Sequence, residues 1–231
     1  IGCGGAAMPV AQALATSPVA ALVAAYDLNP DLARDVAERF GAVAHESLDA
    51  LLADGAVEAV YFAVPHNQLA PLAAQALRAG KHALVEKPMA VDTLSAAEVI
   101  EAARKAKRTL MSAHVLRFFP DYRPLREAMR NGDLGQLRML TLRRSCGAPT
   151  WGDWFYDSSK SGGAVLDLLI HDADMALSLL GAPRAIYSTG YRDMRRGIDV
   201  VSAHLSYERG PAVVIEGGWQ RARVLADQED F

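Results

Sequence analysis

Short apolar runs alternate with longer segments in which apolar residues recur at helical spacing over the first half of the chain. Runs rich in valine and alanine at 20–26, 42–44, 57–64, 82–85 and 109–115 read as strands. A helix starts at Pro30 behind Asn29, and further helices cover 47–53, 68–79 and 93–107, the second of these closed by Gly80. Strands that are apolar almost throughout, separated by helices, predict a parallel sheet covered on both faces.

The pattern changes near Arg117. A helical piece at 120–130 leads to a strand at 137–144, an aromatic loop at 149–161 and a helix at 164–180 stopped by Gly181 and Pro183. Three strands follow at 185–191, 200–207 and 212–219, the last two joined by a turn through Glu208, Arg209, Gly210 and Pro211. The expected organisation is an α/β domain at 1–116 and an α+β domain with a mostly antiparallel, open sheet at 117–231.

Composition narrows the class without naming it. With 51% hydrophobic and 22% charged residues the chain reads as a soluble globular protein, long enough to bury a sizeable core. A net charge of −3 with mixed signs gives no electrostatic case for nucleic acid or anionic membrane. The alanine-rich stretches at 11–25 and 55–64 are too broken to span a bilayer. Cys3 and Cys146 make neither a disulfide framework nor a zinc spacing, so a cytoplasmic, metal-free protein is expected.

Gly2, Cys3, Gly4, Gly5, Ala6 and Ala7 fit the dinucleotide-binding pattern G-x-G-x-x-[GA]. Gly2 permits the tight turn, Gly4 lets backbone approach a pyrophosphate, and Ala7 is small enough for close helix–strand packing. The helix behind the loop offers free N–H groups and partial positive charge to phosphates. Asp27 stands at the end of the next strand, twenty residues after Ala7. A carboxylate there accepts both ribose hydroxyls and repels a 2′-phosphate, so NAD is favoured over NADP; a helix-capping role in a solvated turn is the plainer alternative. Such a loop needs a strand before it, of which only Ile1 is on the chain, and the chain stops soon after a strand. The working protein is therefore expected to be longer at both ends.

Two peptides fall at the carboxyl edge of the predicted sheet, where ligands of open α/β sheets bind: Ala63, Val64 and Pro65, and Glu86, Lys87 and Pro88. Further on, Asp167 and His171 are four residues apart, so both face the same way from one regular helix. Oxidising an alcohol requires taking a proton while hydride leaves, and an imidazole titrates near working pH. An ammonium near the forming carbonyl steadies developing negative charge. His171 is the candidate general acid/base, Lys87 the electrostatic stabiliser and possible relay, Asp167 the orienter, with the Lys and His roles exchangeable. A surface helix pair and a solvated strand end are the plain alternatives.

The segment "AVYFAVPHNQLAPLAAQALRAGKHALVEKP", with "HVLRFFPDYRPL", "NGDLGQLRML" and "SGGAVLDLLIHDADMALSLLGAP", resembles the Gfo/Idh/MocA oxidoreductases. The resemblance implies a Rossmann dinucleotide-binding domain followed by an α/β domain whose open sheet often forms a homodimer or homotetramer interface. It implies that Lys87 bridges nicotinamide ribose and substrate, and that Asp167 and His171 hold and deprotonate the reacting hydroxyl of a sugar, cyclitol or polyol. It places Arg117 and Tyr122 beside nicotinamide and substrate. Phe118 and Phe119 read as core. Trp151, Trp154 and Tyr156 suit either the faces of a sugar ring or packing, and Asp172 and Asp174 either a pocket lining or solvated helix surface. One departure stands out: the family's Pro-Asn-x-x-His reads here as Pro65, His66, Asn67, Gln68, Leu69. Relatives of this kind also include NAD-dependent glycosidases, and an NAD-sensing regulator is the alternative outside enzymes.

Overall fold

The computed structural model describes residues 1–220. The chain divides into two compact units, Ile1–Ala113 and a second beginning at His114.

In the first unit α1 (Met8–Ala15), β1 (Ala24–Ala25), α2 (Pro30–Phe40), β2 (Val43–Ala44), α3 (Leu48–Ala53), β3 (Ala59–Phe62), α4 (His66–Arg78), β4 (His82–Val85), α5 (Thr93–Ala106) and β5 (Leu110–Ser112) follow in turn. Helix starts are fixed by local acceptors: the Asn29 side chain accepts from Asp31 N, the Ser47 hydroxyl from Ala50 N, and the Asp92 carboxylate from Ser95 N. α4 begins two residues before its predicted start because Pro65, with φ −52°, already holds a torsion compatible with the turn. The predicted strand at 109–115 ends at Ser112, since Val115–Phe118 winds into a 3-10 turn.

All strand pairs here are parallel, but they form two sheets, β1-β2 and β3-β4-β5. Ile1 and Gly2 stand between the sheets. Ile1 N donates to Tyr61 O and Ala63 N to Ile1 O, while Gly2 N donates to Tyr26 O at 2.9 Å. Beneath them lies an apolar cavity of about 450 Å3 lined by Val10, Leu14, Leu22, Ala24, Val57 and Val60. Phe62, Leu69, Leu77, Val85 and Val99 are fully buried where α4 and α5 meet the three-stranded sheet. That is where Leu69 does its work: in place of a polar residue it fills the core.

The second unit contains α6 (Tyr122–Asn131), β6 (Met139–Cys146), α7 (Ser158–Ser161), a π turn (Val165–Leu169) running into α8 (Ile170–Leu180), and β7 (Ala185–Asp193), β8 (Ile198–Ser206) and β9 (Ala212–Trp219). The sheet order is β6-β9-β8-β7, with β6 and β9 parallel and the other pairs antiparallel. The sheet is thus mixed and mostly antiparallel. α8 covers one face, placing Ala176 against Leu205, Val213 and Ile215. Edge strand β7 exposes Ile186, Tyr187 and Tyr191. Trp219, fully buried, closes a second cluster with Phe155 and Ala164. Among the described residues no helix is long and apolar enough to cross a membrane.

Candidate active site

The glycine loop is tied to the acidic strand end. Asp27 Oδ2 accepts from Cys3 N at 2.7 Å and Oδ1 from Asn29 N at 2.8 Å. Asp27 therefore holds the loop's shape, which spacing alone did not show, and is more than a solvated cap. Gly2 sits at φ +79°, and a Cβ there would lie 2.3 Å from Ala63 O, so no other residue fits this turn. The same turn brings Gly2 against Ala63 and Val64. Gly4 and Gly5 differ: a Cβ at either meets nothing within 4 Å, so nothing in the protein itself demands glycine. Gly5 and Ala6 are exposed, Ala7 is buried, and the short helix from Gly5–Ala7 continues into α1. An open, side-chain-free backbone ahead of a helix is what a dinucleotide pyrophosphate requires. The residues present fit such a cofactor.

Beyond β4 the chain turns through Glu86, Lys87 and Pro88. Glu86 Oε1 accepts from the Tyr61 hydroxyl at 2.7 Å, and Oε2 from Lys87 N at 3.2 Å. The Lys87–Pro88 peptide is cis and Pro88 is buried. Burial, and then the neighbouring Glu86 carboxylate, push the Tyr61 phenol well above its usual range, which keeps it a hydrogen-bond donor. Tyr61 is a partner of Glu86 that no sequence motif marks; its alternation within β3 shows only a half-buried position.

Lys87 belongs to the first unit, Asp167 and His171 to the second. The predicted uniform helix at 164–180 needs correction. Asp167 lies in the π turn and His171 in the α-helix behind it, so their four-residue spacing crosses a change of winding. In the wide turn the backbone bonds run i to i+5, which adds a residue per turn and breaks the simple same-face rule. Both side chains are half-buried.

Asp172 and Asp174 are not solvated surface. Both are buried, at 3% and 7% exposure, and each is gripped by an arginine. Asp174 accepts from Arg117 Nε at 2.7 Å and Nη2 at 2.6 Å, with His114 Nδ1 3.7 Å away. Asp172 accepts from Arg144 Nε at 2.7 Å and Nη2 at 3.0 Å, and Arg144 Nη2 also donates to the Tyr122 hydroxyl at 3.1 Å. Hydrogen bonding to Asp174 and Asp172 raises the affinity of Arg117 and Arg144 for their protons. Arg117 and Tyr122 are thus fastened to the helix that carries His171. Arg144 was legible in principle: it alternates with Leu140 and Leu142 on the packed face of β6, where a charge requires a partner.

The aromatic residues separate. Trp154 stacks on Phe155 with centroids 3.8 Å apart, a packing role, whereas Trp151 is 80% exposed and only edges Phe155. Tyr156 lies against the position of Gly197. Phe118 and Phe119 are exposed rather than core, because the 3-10 turn Val115–Phe118 points Leu116 inward instead. His66 is the buried first residue of α4.

A family model described as "Oxidoreductase family, NAD-binding Rossmann fold" matches residues 1–114, and a "GFO/IDH/MocA C-terminal domain" model matches 122–226. Among curated proteins, the dTDP-3,4-didehydro-2,6-dideoxy-alpha-D-glucose 3-reductase of Streptomyces violaceoruber is 32% identical over 87% of this chain and 59% of its own length. The chain spans about three fifths of the length of that relative. Among solved structures, a 3-ketoreductase from Actinomadura kijaniata in complex with NADP and TDP-benzene is 28% identical, with a TM-score of 0.87 over 96% of this chain and 69% of its own. A protein of gentamicin A biosynthesis in complex with NAD is 27% identical, with a TM-score of 0.87 over 96% of this chain and 65% of its own. With both of its units matched by the two domain models of one family, the chain belongs to the Gfo/Idh/MocA oxidoreductases.

Proposed function

We propose that the protein is an NAD(P)-dependent oxidoreductase that interconverts a secondary alcohol and a ketone on a sugar, cyclitol or polyol. The observation that carries this reading is the Asp27 carboxylate gripping the glycine loop, beside a loop backbone left bare at Gly4 and Gly5. A nicotinamide dinucleotide held there supplies the hydride acceptor or donor. The negative charge of Asp27 disfavours a 2′-phosphate, so NAD is the expected cofactor, although similar proteins have been solved with either NAD or NADP.

In the oxidative direction His171 takes the proton of the substrate hydroxyl and in reduction returns it. Lys87 offers an ammonium to the oxygen as negative charge develops on it. Asp167 orients the imidazole. Arg117 and Tyr122, pinned to α8 through Asp174 and through Arg144, keep that surface in shape and line it; Trp151 offers an exposed ring face for the C–H side of a sugar. The reduced-nicotinamide absorbance of the full-length protein, measured with NAD or NADP over a panel of sugars, cyclitols and polyols, tests the reading. Turnover is expected, and His171→Ala should lower kcat by roughly 10²–10⁴-fold while leaving dinucleotide affinity as it was. Dinucleotide binding without turnover on any member of the panel refutes it and shifts weight to glycoside cleavage or sensing.

A further inference from the structure

Asp199 is a buried carboxylate, 4% exposed, the second residue of β8, and the mechanism above does not use it. Its Oδ2 accepts from the backbone N–H of Ala164 at 2.8 Å. Arg192, on the neighbouring strand, donates Nε to Oδ1 at 2.8 Å and Nη2 to Oδ2 at 3.2 Å. Ala164 is the fully buried residue from which the π turn springs, three residues before Asp167. One residue earlier, Gly163 N donates to the Ser161 hydroxyl at 2.9 Å, and that hydroxyl donates to Phe155 O. Gly163 has φ +72°, and a Cβ on it would lie 2.3 Å from Asp199 Oδ2.

A helix start leaves N–H groups without intrahelical partners, and a residue just before the helix usually caps them. Here no side-chain cap of that local kind exists. The cap comes instead from the sheet, through a carboxylate clamped by an arginine. We propose that Asp199 is a positioning residue for the reaction: by holding Ala164 N–H it ties the π turn to the sheet and so sets where Asp167 and His171 stand. Gly163 is small so that the carboxylate can reach that N–H. The proposal rests on the reading of Asp167 and His171 as the proton-handling pair.

The test uses the full-length protein with Asp199→Ala, Asp199→Asn and Gly163→Ala. Asn keeps an oxygen for Ala164 N–H, whereas Gly163→Ala puts a Cβ where the carboxylate stands and also strains a backbone held at φ +72°. Asp199→Ala and Gly163→Ala should each lower kcat by about tenfold to a hundredfold, with dinucleotide Kd unchanged, and Asp199→Asn should recover most of the loss. Equal kcat in all variants, or kcat and dinucleotide affinity falling together, would overturn the proposal, as would Asn behaving like Ala. The imidazole titration of His171, followed by NMR, decides independently of turnover. Its midpoint should move in Asp199→Ala and hold in Asp199→Asn; an unmoved midpoint in both overturns the positioning role. A parent protein without turnover would count against the oxidoreductase reading alone, because the titration still speaks to Asp199.

Discussion

Asp172→Ala isolates what a buried ion pair does for the second unit. Asp172 has 3% of its surface exposed and takes two hydrogen bonds from one guanidinium, at 2.7 and 3.0 Å. The Arg144 side chain is 27% exposed, so after the substitution it keeps Tyr122 and some water but loses its counter-charge. Breaking a buried pair by removing one partner costs about 3–5 kcal/mol, and the partial exposure of Arg144 points to the lower end, about 3 kcal/mol. The three tryptophans, Trp151, Trp154 and Trp219, all belong to this unit, so their fluorescence in urea reports its unfolding selectively. With a slope of about 2 kcal/mol/M, the midpoint should fall by about 1.5 M. Replacing both partners, Asp172→Leu with Arg144→Met, should recover most of the loss, because two apolar side chains remove both desolvation penalties. A loss below about 1 kcal/mol, as for an exposed pair, would refute the reasoning. So would a double variant no better than the single.

Asp27→Asn keeps an acceptor for the loop but drops the charge, so it should narrow the preference for NAD over NADP by about tenfold. Asp27→Ala should also weaken both cofactors, since Cys3 N loses its partner; titration calorimetry with each dinucleotide checks both, and an unchanged preference rejects the assignment. Tyr61 supplies a pH prediction. Its phenol stays protonated in the fold beyond the pH, near 10, at which an unfolded tyrosine ionises. Above that point the unfolded chain holds fewer protons than the folded one, so the stability Tyr61 contributes is present below about pH 10 and drains away as pH rises. Tyr61→Phe should flatten that alkaline slope in urea unfolding followed by circular dichroism; an unaltered slope rejects the account.

Much of the fold was written in local signals. The caps at Asn29, Ser47 and Asp92, the apolar runs of β3 and β4 and the turn after β8 act within a few residues, and helix and strand boundaries followed them closely. What escaped was set by distant partners. The 20–26 run forms a regular strand only at Ala24–Ala25, because its partner β2 is just two residues long, although Val23 O and Tyr26 O also accept from Val43 N and Gly2 N. Asp172 and Asp174 read as either pocket lining or solvated surface and Asp199 as nothing at all, since their partners Arg144, Arg117 and Arg192 come from other elements. Of the candidate site, the glycine loop and Asp27 were legible as a pair, whereas the part Asp27 plays in holding the loop needed the Cys3 N–H contact to be seen.

The π turn at Val165–Leu169 makes this stretch of chain unusually intolerant of one kind of change. A one-residue deletion between Asp167 and His171 would let the rod wind as an ordinary α-helix. Asp167 and His171 would then stand three residues apart, about 60° around the axis and about 1.5 Å closer along it, so their mutual geometry changes although both still point to one side. An α-helical turn is the commoner backbone, so the shortened segment should still wind as a helix. Length, as well as the identity of Asp167, is thus what function has to defend between Ala164 and α8, and a variant library screened for stability alone would drift toward losing it.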